Sequence, residues 1–452
     1  MHRVVHIPIE KKHRELMSKL LVALELTSRG VPVIIGHSRA MFANAKHLPS
    51  GVMFLKGMNR VQHGIIVKLL AIGHKPVACD EEAMGARGPL LVKDTWAETQ
   101  PLMAKVFCQG AEHRDVLMAT RGFTADQLAV TGNPRIDLLR PPFIDTWRRQ
   151  AAEITRENGP FVLVNTDMSA TNSRFHDLEY YRKVLVQIGW LDPASEDDRR
   201  LLDHHLNHDQ SNMDAVSEFA RAMAASMPEG KIVLRPHPAE DERRWRDLAR
   251  ETGNLRVVTD SEPVPWLLAA RGLVHTGCTT GAEAAILGKP SIALITDRDD
   301  NPFSDFRLSN AISRRVTTIQ DAVEVARTLL ADHPDPDAAT PVQPSLEAFL
   351  DIDDEAPAFE KIARELESLL PREPLDSCGA LRRVPPNIDK YLRATFDVAA
   401  KAEGFSEPDE MDRRIDMLLQ SAGRPTWSKP EIRDLDWGLY ALLPKMGGEP
   451  SR

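Results

Sequence analysis

Cysteine is scarce in this sequence: Cys79, Cys108, Cys278 and Cys378 are the four found among 452 residues. No two stand in a CxxC pair, so neither a zinc cage nor a disulfide framework is expected. Long apolar runs are missing too. None approaches the roughly 18 residues of a membrane-spanning helix. An excess of positive charge is also missing: 57 basic residues face 66 acidic ones, a net charge of −9. That argues against nucleic acid or an anionic lipid surface as a general partner, while a local basic site stays open. The opening MHRVVHIPIE has no basic leader, apolar core or small-residue cleavage site of a secretory signal. A cytoplasmic place is the expectation. What is present is ordinary for a folded chain, with 42% hydrophobic and 27% charged residues, which excludes a disordered tail protein and a fibrous repeat. At about 150 residues per domain, the length suggests about three units, or two large ones with an extension.

The apolar runs that do occur are short and alternate with helical patterns. Val4–Ile7 is followed by a helical stretch from Lys12 to Ser28, with Leu16, Leu20 and Leu24 one turn apart, and then by VPVII at 31–35. That is a βαβ unit, which favours a parallel sheet. The alternation continues through apolar runs at 52–55, 76–79, 105–108 and 128–131, with helical patterns near 61–72 and 111–119. Fully apolar strand cores suggest a sheet covered on both faces. After Gly159-Pro160, PFVLVNT reads as the first strand of a second domain, and a helical region spans about 175–226. The expected boundaries are 1–155, 156–335 and 336–452. The last segment opens on DHPDPDAATPVQP, a linker composition, and shows helical patterns near 345–370, 387–403 and 409–421.

Ligands of open parallel sheets gather outside the carboxyl ends of strands. Three such ends carry chemistry. PVAC runs into Asp80, Glu81 and Glu82, either a solvated loop or a source of a general base whose pKa its neighbours raise. KIVL ends in Arg235-Pro236-His237-Pro238. Two prolines fix the loop, Arg235 offers a bidentate fork to an anion and His237 a second donor. LVH ends in Thr276-Gly277-Cys278-Thr279-Thr280-Gly281, a small-residue turn opening a short helix at Ala282–Leu287. Its backbone N–H groups and hydroxyls make it a candidate anion site; Thr279 or Thr280 as an N-cap is the plain alternative. Glu283 follows in the first turn, where a carboxylate could reach a ribose or simply favour the positive helix end. Asn133 and Arg135, after LAVT, read as a turn and helix start or as a cleft lining. His204, His205 and His208 lack metal-ligand spacing and read as a solvated helix face. Asp297-Arg298-Asp299 spells DxD, a common chance match. No metal ligand set is expected. GxxxxGK[ST] and GxGxxG are both absent, so ATPase and NAD-dehydrogenase readings lose support.

Several of these stretches occur together and in order: IPIEKKHRELMSKLLVALELTSRGVPVIIG at 7–36, ACDEEAMG at 78–85, VTGNPRIDLLRP at 130–141, RPHPAEDERRW at 235–245 and HTGCTTGAEAAILGKPSIAL at 275–294. In this the chain resembles the bacterial surface-carbohydrate (surface polysaccharide) biosynthesis family of the GT-B glycosyltransferase superfamily, over roughly 1–310. It is also similar to the His-Pro-containing Kdo and sialyl-type transferases, and NPFSDFRLSNAIS at 301–313 looks like a further family element. The resemblance implies an α/β fold of two Rossmann-like domains facing across a cleft, with a mostly helical C-terminal extension that crosses back to the first domain. It implies that the second domain binds the nucleotide, with Arg235, His237 and Pro238 at the donor phosphate, Gly277, Cys278, Thr279 and Thr280 as the opposing turn, and Glu283 near the ribose. An acid among Asp80, Glu81 and Glu82 would supply the base. In the sialyltransferases the acids run directly into Gly; here Ala83 and Met84 intervene before Gly85.

The function expected on these grounds is a metal-independent, cofactor-free glycosyltransferase. It would move a sugar, first of all a CMP-activated Kdo-like or nonulosonic acid, to a surface glycan or lipid-linked glycan. No nucleic-acid partner is expected. Contact with the inner face of the inner membrane would be peripheral. The alternatives are a UDP-sugar 2-epimerase, a transferase using CDP-glycerol, and a non-catalytic scaffold.

Overall fold

The computed structural model describes residues 1–92, 94–174, 177–259, 262–296, 307–332, 346–353, 355–372, 408–436 and 438–444. The chain forms two compact units. Unit 1 takes residues 1–81, 94–146 and 350–452, and unit 2 takes 82–93 and 147–349.

Unit 1 is built on strands β1 (Val5–Ile9), β2 (Val33–His37), β3 (Val52–Leu55), β4 (Lys75–Cys79), β5 (Lys105–Cys108) and β6 (Leu128–Val130). They pair in parallel in the order β2-β1-β3-β4-β5-β6. β1 to β3 are buried along their whole length, which is why their sequences are apolar throughout rather than alternating. Two strands escaped the sequence pattern. β13 (Glu431–Asp434) and β14 (Leu439–Leu443) extend the sheet beyond β2 in antiparallel pairing. The extension expected to be mostly helical thus also supplies strands. Its LYALL segment is short and apolar and gains its ladder bonds by pairing with β13 on one side and with the exposed edge of β2 on the other.

The extension also supplies the helices Ala358–Ser368 and Pro408–Ala422, both packed against the helix Lys12–Ser28. Buried Asp137 accepts from the backbone N–H groups of Ala358 (3.2 Å) and Phe359 (2.9 Å), capping the first of these. Trp427 Nε1 donates to Glu25 Oε2 at 2.9 Å, and Lys12 pairs with Glu410. Gly132 has φ +77°, and any Cβ there would lie 2.5 Å from the Asp351 carbonyl. Part of the GNPRID stretch is therefore spent on seating the extension.

Unit 2 holds β7 (Phe161–Asn165), β8 (Lys231–Arg235), β9 (Leu255–Val257), β10 (Gly272–His275), β11 (Ser291–Leu294) and β12 (Arg314–Val316). All are parallel, in the order β12-β11-β10-β7-β8-β9. This is the doubly wound order, and the strand order reverses between β7 and β10. Val162, Val164, Ile232, Leu234 and Val274 face one core with Phe219 and Trp245. Phe161, Leu163, Val233 and Leu273 face the other with Trp266 and Ala284. The region read as one helical stretch is two helices, Leu178–Ile188 and Glu196–Ser226. Gly189 in the left-handed region ends the first, and Pro193 stands in the connection. Among the described residues, no helix is long and apolar enough to cross a membrane.

Candidate functional site

In unit 2 the sites read from sequence converge on the point where the strand order reverses. β8 ends at Arg235, β10 ends at His275, and β7 lies between them. Asn165, the last residue of β7, is in register with both Arg235 and His275. The His-Pro loop is held by Glu240, which is 2% exposed. Its Oε1 accepts from Thr166 Oγ1 (2.8 Å), Met168 N (3.0 Å) and His237 N (3.3 Å), and its Oε2 from Trp245 Nε1 (2.9 Å). One carboxylate thus ties the loop after β7 to the loop after β8. Burial raises the Glu240 carboxyl, and these hydrogen bonds oppose the shift. The Ala239 N–H donates to His237 Nδ1 at 3.2 Å, which fixes the tautomer and leaves Nε2 as the donor. Pro238 is exposed beside it.

The turn after β10 is equally organised. His275 is fully buried; its Nδ1 accepts from Gly277 N (3.0 Å) and its Nε2 lies 2.8 Å from Ser313 Oγ. Burial lowers its pKa to about 3, so it is a neutral brace. Gly277 has φ +110°, with Arg307 Cγ 3.2 Å from where a Cβ would stand, so no other residue fits without strain. Cys278 Sγ lies 2.6 Å from Thr280 Oγ1 and donates to the Asn165 carbonyl at 3.8 Å. Burial pushes this thiol up to about 12, which makes Cys278 a small packing residue and no nucleophile. The helix spans Thr280–Ile286, only seven residues. Its dipole is correspondingly weak, so the turn's own N–H and hydroxyl groups are what it offers an anion. Thr279 occupies the N-cap position without making a side-chain cap bond, which leaves the plain capping explanation unrealised. Its Oγ1 would lie 2.7 Å from a Cβ on Gly85. That glycine of the DEEAMG stretch packs here because residues 82–93 belong to unit 2. Glu283 is 2% exposed in the first helical turn.

Sequence reasoning missed four residues of this region. Besides Asn165 they are Asp167, Asp209 and Arg307. Arg307 Nη1 stands 3.9 Å from Asp167 Oδ2. Asp209 accepts from Ala170 N at 3.1 Å and is 3% exposed. Burial first, then the Asp167 charge, hold its pKa well above the usual carboxylate range. The expectation of a solvated face holds at His204, which is exposed, and is corrected further along the helix: His208 and Asp209 are buried, and Tyr181 OH meets the half-buried His205 Nε2 at 3.2 Å. Helical periodicity over 31 residues turns this part of Glu196–Ser226 inward.

In unit 1, Asp80 and Glu81 follow β4 and are 6% and 2% exposed. Glu81 is no solvated acid. Lys19 Nζ, on a residue 0% exposed, lies 2.8 Å from its Oε1 and 3.7 Å from the Phe54 ring centroid. One turn earlier Glu15, 1% exposed, accepts from the backbone N–H groups of Glu10 (2.8 Å) and Lys11 (3.1 Å). The raised carboxyl is Glu15: burial, then the Glu81 charge, push it up to about 7. Glu82 opens a short 3-10 turn, Glu82–Gly85, in unit 2. Asn133 is 0% exposed and caps Pro134–Asp137 by accepting from Arg135 N at 3.0 Å. The turn-and-helix-start alternative describes it, with Arg135 half-buried beside it. Among the described residues no group of three or more His, Cys, Asp or Glu side chains could hold a metal ion. Asp297-Arg298-Asp299 and residues 301–306 of the 301–313 stretch lie outside the described residues.

No protein-family model matches the chain, and no curated protein matches it in sequence. Solved structures do match. UDP-GlcNAc 2-epimerase from Neisseria meningitidis, bound to UDP-GlcNAc, aligns at TM-score 0.50 and 15% identity over 81% of this chain and 99% of its own. The UDP-GlcNAc 2-epimerase of Methanocaldococcus jannaschii aligns at 0.49 and 11% over 81% and 99%. Anabaena HepE in complex with UDP and glucose aligns at 0.41 and 11% over 81% and 95%. At these identities the likeness is one of fold: two Rossmann-type units of the GT-B kind.

Proposed function

We propose that the chain is an enzyme acting on a nucleotide-activated sugar, that unit 2 holds the nucleotide phosphate, and that the reaction is epimerisation of a UDP-sugar. One observation carries this reading. Arg235, His237 and the 276–280 turn stand at the carboxyl ends of the two strands flanking β7, where a doubly wound sheet reverses its order. A guanidinium, an imidazole N–H and turn N–H groups are the donors that a diphosphate needs. The sugar nucleotide of the Neisseria epimerase, which shares the fold, suggests UDP-GlcNAc as the first substrate to test.

Inverting a carbon that bears hydrogen requires a base to remove the proton and an acid to return one to the opposite face. Carboxyl groups with different proton affinities suit such work. Unit 1 offers Glu15, pushed up to about 7, and Glu81 ion-paired to Lys19, with Asp80 adjacent. Incubation with UDP-GlcNAc in deuterated water tests the proposal. An epimerase gives a second UDP-sugar with one deuterium on the inverted carbon and needs no acceptor. Unchanged UDP-GlcNAc would sink it.

The second reading is glycosyl transfer from a CMP-activated acidic sugar to a surface glycan, favoured by the His-Pro loop and the Thr-Thr turn. Here an acid among Asp80, Glu81 and Glu82 would take the acceptor hydroxyl proton. Transfer would release CMP only when acceptor is present, and a CDP-glycerol transferase would likewise release CMP.

A further inference from the structure

Asn165 is 4% exposed, yet neither its side-chain Oδ1 nor its Nδ2 has a hydrogen-bond partner. Among the described residues it is the one amide with both atoms shut off from solvent and unbonded. A buried polar group without a partner costs stability, and an amide has one donor group and one acceptor to leave unmet. The preceding residues of the strand are Phe161, Val162, Leu163 and Val164, so an apolar residue would suit the core better.

Position indicates what the amide is for. Its register partners are Arg235 on one side and His275 on the other, each about 4.8 Å away in a parallel sheet. Side chains alternate along a strand. Phe161 and Leu163 share a core with Val233, Leu273 and Ala284 of the short helix, while Val162 and Val164 face the opposite core. Asn165, Arg235 and His275 therefore project on the face that carries the 276–280 turn. The amide lies in the middle of that row, between a guanidinium and the Gly277-Cys278 turn, and the Cys278 thiol bonds its backbone carbonyl.

We infer that Asn165 reads the ligand of unit 2 directly, its Nδ2 donating to a phosphate oxygen and its Oδ1 accepting from a ring hydroxyl. Phosphate oxygens only accept, so the acceptor half of the amide calls for a hydroxyl; a phosphate ester of a hydroxylated ring, a nucleotide, supplies both. The inference rests on unit 2 being the nucleotide-binding unit.

Its test is titration calorimetry and thermal unfolding of the full chain as wild type, Asn165→Val and Asn165→Asp, with UDP and inorganic pyrophosphate as probes. Without ligand, Asn165→Val should unfold at the wild-type temperature or above, because it removes an unmet polar group. Its UDP affinity should fall at least about tenfold, and its pyrophosphate affinity less, since only one bond is lost there. Asn165→Asp, similar in size but negative and without the donor, should fall further for both. UDP binding by Asn165→Val within twofold of wild type would overturn the inference, as would a loss of several degrees in its unliganded unfolding temperature. An equal fall for both probes would overturn the hydroxyl contact. A wild type that binds no nucleotide would instead remove the functional reading, and this inference with it.

Discussion

A buried ion pair defines unit 1 at the scale of single residues. Lys19 and Glu81 are almost fully removed from water, so taking away one partner strands the other. Lys19→Met should cost about 3–5 kcal/mol, whereas Lys19→Met with Glu81→Leu should recover most of that loss. Urea unfolding of the single and double variants checks this; a double variant as weak as the single one would contradict it. Glu240 is the counterpart in unit 2. Glu240→Ala leaves buried donors on Thr166, Met168, His237 and Trp245 unbonded, at about 1–3 kcal/mol for each that finds no water, and it frees the His-Pro loop. A fall in unfolding temperature together with weaker nucleotide binding is the expected outcome. The two loops were legible in the sequence because prolines, glycines and small residues punctuate strand ends. Glu15, Lys19 and Asn165 were not. A charge on an apolar helix, or an amide ending an apolar strand, has the same local pattern whether it faces water or the interior.

At the scale of elements, the strands whose cores are apolar throughout were readable, since both faces of a parallel sheet are covered. β9, β12, β13 and β14 were not: LRV, RRV and EIRD carry polar residues, and LYALL fits a helix as well as a strand. What makes it a strand is its pairing with β13 and with the open edge of β2, the latter far away in sequence. Asp137 shows a similar long-range tie. Burial raises its carboxyl to about 7, the Phe359 and Ala358 N–H groups opposing, against an ordinary value near 4. A group raised on folding adds stability below its unfolded pKa and loses it as pH rises through the folded one. Unit 1 should therefore weaken from pH 4 to 7 through Asp137, and Asp137→Asn should flatten that slope. His6 acts in the opposite sense. Burial, then the nearby His74, lower it to about 3, so its contribution is present above about 6.5 and lost as pH falls toward 3. His6→Leu should remove this acid-side loss. Thermal unfolding across pH 3 to 8 separates the two slopes, and unchanged profiles would contradict both.

The whole molecule shows why the tail carried no motif. From residue 350 on, its described part serves unit 1: the helices Ala358–Ser368 and Pro408–Ala422 cover Lys12–Ser28, and β14 extends the sheet at β2. This is a packing task, which demands apolar spacing rather than particular residues. Deleting residues 408–452 should expose the β2 edge and one face of the first helix, and edges of that kind pair with other chains. The truncated chain is expected to aggregate on expression; a soluble, monodisperse product would contradict this packing role. The His-Pro loop and the 276–280 turn of unit 2 are the complement of this, since chemistry needs particular groups where packing does not.

The central claim is that unit 2 binds the phosphate of a nucleotide through Arg235 and His237. Calorimetric titration of UDP into the wild type, Arg235→Met and His237→Ala tests it most directly. The charge-assisted bond of Arg235 should be worth about 1.5–3 kcal/mol, so Arg235→Met should weaken UDP at least about tenfold, with a smaller loss for His237→Ala and unfolding temperatures close to wild type. UDP binding that is equally tight in all three proteins would contradict it.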